Sequence, residues 1–355
     1  MIASQITPLI PYIDALKAEK RPIFLYGMGN GAEKIYAHLV NNQIKIQGVV
    51  ASDGFVRNQE FLGFTVKGIS ETADVYGELC LILCFGLEGE KSHFLYELSK
   101  KHKIISPNLP VFGKGVFDKE YILNNIDKIQ RLHDILEDDL SKKLFIRLLK
   151  YNVTGELCYV MGDEFSTPPD EFYLHDKRHI DVGAYDGDTV FEFIEKSTAY
   201  RDIVAFEPDP MTFKKLTKNL TGVRDCICVN AAVGKSKALI RFESGGGRAS
   251  HCGEGEANTQ MRSIDEFCGF THIHAEGERV GSIKIDAEGM DESVVFGAVN
   301  TIYCCKPNLS VALYHRAYDI IELPLLLRKH NPKYKFYLRK KEYIPAWDIF
   351  LYAVN

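Results

Sequence analysis

At 355 residues the chain is longer than one average domain, and hydrophobic residues make up 46% of it, so two domains with packed cores are expected and disorder is excluded. A formal net charge of −5 leaves no long basic face for a polyanion, despite a local cluster from Lys333 to Lys341, so nucleic acid is not an expected partner. No apolar run reaches the roughly 18 residues of a membrane span, and the first residues lack the layout of a signal peptide, which together predict a cytoplasmic protein with no membrane span.

Nine cysteines are scattered without paired C-x-x-C knuckles and read as reduced core thiols. Residues 1 to 20 place Ile6, Leu9, Ile10, Ile13 and Leu16 at helical spacing, made irregular by Pro8 and Pro11. Pro22 to Tyr26 reads as a strand running into Gly27-Met28-Gly29-Asn30-Gly31-Ala32, a G-x-G-x-x-A turn before a helix. A second strand, Gly48 to Ala51, ends near Asp53, where a ribose-binding acid would stand. No acid lies between Gly27 and Ala32, so the amides of this turn suit an anion such as a phosphate. With the strand Leu79 to Phe85 and the helix around His93 to Lys101, residues 1–115 form a small Rossmann-like α/β domain. Its layout is similar to the N-terminal domain of PglD-type sugar acyltransferases, which implies a bound nucleotide sugar.

From Tyr121 to Leu149, apolar residues recur every three or four positions, predicting one or two amphipathic helices in a linker over 116–170. The acidic, proline-containing stretch Asp163 to Asp170 is a loop, and Tyr173 just beyond it is either a cofactor cover or core packing.

The next strand ends at Asp181 and is followed by Gly183 and Gly187, four residues apart, with Asp188 or Thr189 expected to cap the helix that follows. Glycine is wanted where a backbone turns sharply and a ligand approaches it. Asp181, Asp186 and Asp188 crowd this turn; they would repel a pyrophosphate and suit the ammonium and sulfonium of S-adenosylmethionine. A second strand, Ile203 to Phe206, delivers Glu207 some 20 residues after Gly187, the position of a ribose-binding carboxylate. Asn230, after a third strand, fits an adenine contact by position. The glycine-rich stretch Gly245 to Gly255 is expected as a mobile loop near the site, with a plain solvent loop as the alternative. The strand Ser282 to Asp286 then brings Asp286 and Glu288 to the same sheet edge, and Leu309 to Leu313 brings Tyr314 and His315. Two closing strands with a short connection suggest an antiparallel hairpin.

Four stretches together, Asp181 to Thr189, Ala205 to Asp209, Asn230 to Gly234 and Ile283 to Gly289, resemble the FkbM family of methyltransferases over residues 172–355. The resemblance implies a class I methyltransferase domain over 171–355, a Rossmann-like seven-stranded sheet, S-adenosylmethionine as cofactor, and O-methylation of a sugar, glycan or natural-product hydroxyl. The expected cofactor residues are Asp181, Gly183, Ala184, Tyr185, Asp186, Gly187, Thr189, Glu207, Pro208, Asn230, Ala231 and Asp286.

A sugar hydroxyl needs a base, and His315 is the first choice because histidine titrates near neutrality, with Asp286 and Glu288 as alternatives. A divalent metal among Asp286, Glu288 and His315 has no ligand spacing to support it, and none is expected. The partner is a small-molecule or glycan acceptor, with a nucleotide-linked sugar and a homo-oligomer among the options. The alternatives are a non-catalytic nucleotide-sugar-binding protein and an NAD-dependent oxidoreductase using Gly27 to Ala32 and Asp53.

Overall fold

The computed structural model describes residues 1–355 except 58, 244–250, 253–257 and 273–276. Five short strands, β1 (Ile23–Tyr26), β2 (Gly48–Ala51), β3 (Lys67–Gly68), β4 (Cys80–Leu83) and β5 (Lys103–Ile105), form a parallel sheet in the order β3-β2-β1-β4-β5. Every residue of β1, β2 and β4 is buried, as a parallel sheet covered on both faces requires. The alternation of side chains then splits each strand between two cores. Leu25 and Ile82 pack with Ala32 and Leu39 of the helix Asn30–Asn41, while Tyr26 and Leu81 face the other way. That second face joins one continuous core with Ile180, Val182, Ile283 and Ile285 of the later sheet.

The amphipathic stretch expected as one or two helices is three: Lys119–Asn124, Ile126–Ile135 and Asp139–Thr154. Asp118 accepts the Tyr121 N–H and starts the first; Asn125, at φ −115 and ψ 23, breaks the chain between the first and second; Asp138 accepts the Ser141 N–H and starts the third, which Gly155 at φ 66 ends. Asp138 also pairs with Arg339 at 2.6 Å, which pins this start against the second sheet.

The second sheet has seven strands: β6 (Arg178–Val182), β7 (Ile203–Phe206), β8 (Cys226–Val229), β9 (Val280–Ile285), β10 (Asn308–Ala312), β11 (Lys335–Lys340) and β12 (Ile349–Val354). Their order is β8-β7-β6-β9-β10-β12-β11. The first five are parallel, and β12 runs antiparallel to both β10 and β11, so the closing hairpin and the seven-stranded class I methyltransferase sheet are as expected. Strand order reverses beside β6, and a crevice opens there at the carboxyl ends of the strands.

A separate two-stranded ladder links a connecting segment of each sheet: Leu87–Glu88 pairs antiparallel with Tyr343–Ile344. Tyr173 is core packing, 5% exposed, and its hydroxyl donates to Glu192. Eight described cysteines are free. Most of the glycine-rich stretch 245–255 lies outside the described residues, and of it only the backbone of His251–Cys252 is seen, paired with Phe242–Glu243. No helix among the described residues is long and apolar enough to cross a membrane.

Candidate active site

A cleft of about 1160 Å³, open to solvent, lies at the carboxyl ends of β6, β7, β9 and β10. Gly183, Tyr185, Thr189, Glu207, Pro208, Ala231, Asp286 and Glu288 line it. The other expected cofactor residues, Asp181, Ala184, Asp186, Gly187 and Asn230, lie outside its lining.

The turn after β6 needs its glycines for packing as much as for a ligand. Gly183 sits at φ +75, and a Cβ there would stand 1.9 Å from the Asp286 carbonyl oxygen. Gly187 sits at φ +99 with Leu220 and Leu216 against the space a Cβ would take. Gly187 is at the N-cap of the helix Asp188–Lys196 and carries no side-chain cap, but Asp188 Oδ1 accepts the Thr189 N–H of the first turn at 2.7 Å, whereas Thr189 does not cap it. The Thr189 hydroxyl instead donates to Asp181 Oδ2 at 2.5 Å.

Asp181, expected to face the positive end of a cofactor, is fully buried and turned into the protein. Lys284 Nζ lies 3.0 Å from its Oδ1 and also donates to the Gly183 carbonyl at 2.7 Å. Burial pushes the Asp181 carboxyl up, opposed by the Lys284 charge. Lys284 is held up at about 12: its own burial would lower it, and Asp181 and Asp286 outweigh that. The ion pair neutralises Asp181, which therefore contributes no free charge to the cleft. Asp188, from the same turn, does line it.

Glu207 is 7% exposed, and its carboxylate accepts the Tyr185 N–H at 3.1 Å and the Asp209 N–H at 2.8 Å. Burial nevertheless pushes it up to about 7. A half-satisfied buried carboxylate on a cleft wall has capacity left for hydroxyl donors. Asn230 is exposed, and its amide donates to the Glu207 and Pro208 carbonyls, so it braces the loop that carries Glu207.

His315 departs most from its expected role. It is fully buried outside the cleft lining, with Nδ1 2.7 Å from Asp291 Oδ2. Burial alone would lower its affinity for a proton, but Asp291, with Asp286 and Glu288 beyond, lifts it to about 10. With one ring nitrogen engaged by Asp291 and the ring outside the cleft lining, His315 does not face the space that an acceptor would enter. Asp286 and Glu288 remain on the cleft, and the Tyr314 hydroxyl donates to Asp286 Oδ1 at 3.2 Å.

Residues 181–336 match the family model of the methyltransferase FkbM domain. The chain carries an FkbM methyltransferase domain. It is a methyltransferase, and its cofactor is S-adenosylmethionine. The solved FkbM methyltransferase of Methylobacillus flagellatus KT matches with a TM-score of 0.69 at 17% identity, covering 99% of this chain and 99% of its own. The likeness in fold therefore includes the first sheet and the helices as well as the methyltransferase sheet. An rRNA methylase from Streptococcus thermophilus has a TM-score of 0.33 at 10% identity, covering 52% of this chain and 90% of its own. Fibrillarin from Aeropyrum pernix, solved with S-adenosyl-L-methionine, has a TM-score of 0.32 at 10% identity, covering 52% and 68%. No curated protein sequence matches the chain.

The sequence reading of the FkbM site missed Lys284, Asp291, Lys341, Asp348 and Glu88. A lysine between two isoleucines of a buried strand was a signal for a buried partner, since Lys is almost never buried unpaired. Glu88 carries no such signal, because only the pairing of Leu87–Glu88 with Tyr343–Ile344 brings it to the cleft.

Proposed function

We propose that the chain transfers a methyl group from S-adenosylmethionine to a hydroxyl oxygen of a sugar, glycan or natural product. The observation that supports this is one cleft carrying two kinds of carboxylate. Glu207 is buried and held by backbone amides, whereas Asp286 and Glu288 stand at the ends of other connections. In this reading Glu207 accepts hydrogen bonds from the two ribose hydroxyls, and Ala231, Ala232 and Val233 supply an apolar wall for the adenine. Asp188 faces the ammonium of the methionine end, because Asp181 is already neutralised by Lys284. Residues 1–115 act as a separate small α/β unit, joined through 116–170 to the methyltransferase unit 171–355, and contribute Glu88 to the acceptor side.

The cofactor supplies an electrophilic methyl group. The protein has to hold the acceptor oxygen in line and remove its proton, since a neutral hydroxyl is a weak nucleophile. Asp286 or Glu288 receives that proton, and the Tyr314 hydroxyl orients the Asp286 carboxylate. The products are a methyl ether and S-adenosylhomocysteine.

The test is incubation with S-adenosylmethionine and a panel of sugars, nucleotide sugars and hydroxylated natural products, read by mass spectrometry. The expected result is S-adenosylhomocysteine in step with a product heavier by one methylene and stable as an ether. Methylation at nitrogen or carbon would replace this reading, and calorimetry without any S-adenosylmethionine binding would overturn it.

A further inference from the structure

The mechanism above makes no use of His315 Nε2. This atom is fully buried and has no hydrogen-bond partner. Yet it stands 3.3 Å from Asp286 Oδ1 and 3.5 Å from Glu288 Oε2. Leaving a buried polar atom unsatisfied costs about 1–3 kcal/mol, so an arrangement that aims it between two carboxylates calls for a ligand.

The spacing says which ligand. Donor atoms bound to one ion at about 2.0–2.2 Å lie about 3.0–3.5 Å from one another in octahedral or tetrahedral geometry. The two separations at Nε2 fall in that range. The other ring nitrogen is already engaged, with Asp291 Oδ2 2.7 Å from Nδ1, which is how metal-bound histidines are commonly oriented. Asp291 is spent on this task, for its second oxygen accepts the Ala287 N–H at 2.8 Å. Asp286, Asp291 and His315 form a cluster whose donor atoms lie within 4.8 Å of one another; Glu288 is not part of that cluster, but its Oε2 lies 3.5 Å from Nε2 and the residue lines the cleft.

We propose that Asp286, Glu288 and His315 Nε2 bind a first-row divalent cation, with Asp291 as the positioning residue for the imidazole. Two carboxylates and one imidazole suit Mn²⁺ or Zn²⁺ better than Ca²⁺, which takes oxygen ligands almost exclusively. The cation binds Nε2 in its unprotonated form. It sits where an acceptor oxygen entering the cleft would complete its coordination, and there it lowers the pKa of that hydroxyl. This last role rests on the methyl-transfer reading; the binding of the cation does not.

The test uses the full chain, stripped with a chelator and titrated with Mn²⁺ while the free-ion signal is followed by electron paramagnetic resonance. One Mn²⁺ bound per chain is expected without any S-adenosylmethionine present. Glu288→Gln, on the cleft wall, weakens binding at least tenfold, and Asp291→Asn weakens it about 10- to 100-fold through the imidazole. Because Asp291 is buried, a melting curve is run beside it. In the wild type Mn²⁺ or Zn²⁺ raises the melting temperature, and in Glu288→Gln that rise is lost. Wild-type chain that binds neither ion at 1 mM, or Glu288→Gln that binds as well as wild type, overturns the site. Cation binding without S-adenosylmethionine binding would leave the site standing and remove the methyl-transfer reading. Cofactor binding and turnover in a chain that binds no cation would do the reverse.

Discussion

A Cβ added at Gly183 would lie 1.9 Å from the carbonyl oxygen of Asp286, so the glycine turn after β6 and the connection after β9 close against each other with no room for a side chain. The two halves of the cleft are therefore set by one backbone contact, reinforced by the Lys284 bridge from β9 to Asp181 and to the Gly183 carbonyl.

Gly183→Ala meets both a steric clash and a φ of +75, and should destabilise the chain by about 3 kcal/mol. Urea unfolding measures this. A wild-type midpoint would mean that β6 and β9 separate at little cost.

Replacing Lys284 with Met leaves Asp181 buried without its counter-charge. A loss of about 3–5 kcal/mol is expected, as for breaking one side of a buried pair. The double variant Lys284→Met, Asp181→Asn should recover part of it, because the uncompensated charge is then gone. Additive losses would show that the two residues do not act as a pair.

Glu207→Gln keeps the size of the side chain and removes the charge that, in the proposed site, accepts the ribose hydroxyls. Calorimetry should show S-adenosylmethionine binding weakened at least tenfold, about 1.4 kcal/mol. In the wild type, affinity should rise as pH increases toward about 7, since the ligand favours the ionised carboxylate and burial opposes it. Equal affinities for the two proteins would remove Glu207 from the binding site.

The same carboxyl gives a stability test with no ligand. Its folded pKa is raised from 4.5 to about 7, so its contribution is fully present below about 4.5 and is lost as pH rises through about 7. Glutamine does not titrate. Wild-type stability minus that of Glu207→Gln should therefore fall by roughly 3 kcal/mol between pH 4.5 and 7. A flat difference would mean that Glu207 ionises freely in the fold.

Much of the fold was legible because its signals are local. An apolar strand, a glycine turn and a helix follow one another within about a dozen residues, and this pattern identified both parallel sheets. The number of linker helices was not legible in hydrophobic periodicity, because the chain breaks at Asn125 and restarts at Asp138 without changing the apolar stripe.

The sequence by itself determined the chemistry of the cleft: a glycine turn after Asp181, an acid at Glu207, and acids at Asp286 and Glu288 on one sheet edge. Tertiary structure alone decided which of these charges are available. Asp181 meets Lys284 across the sheet and is neutralised, while Asp291 engages one ring nitrogen of His315 and raises its affinity for a proton. Glu88 enters the cleft from the ladder that Leu87–Glu88 makes with Tyr343–Ile344. The charge state of a buried group depends on which partners stand within a few ångströms, and those partners come from residues far apart in the chain.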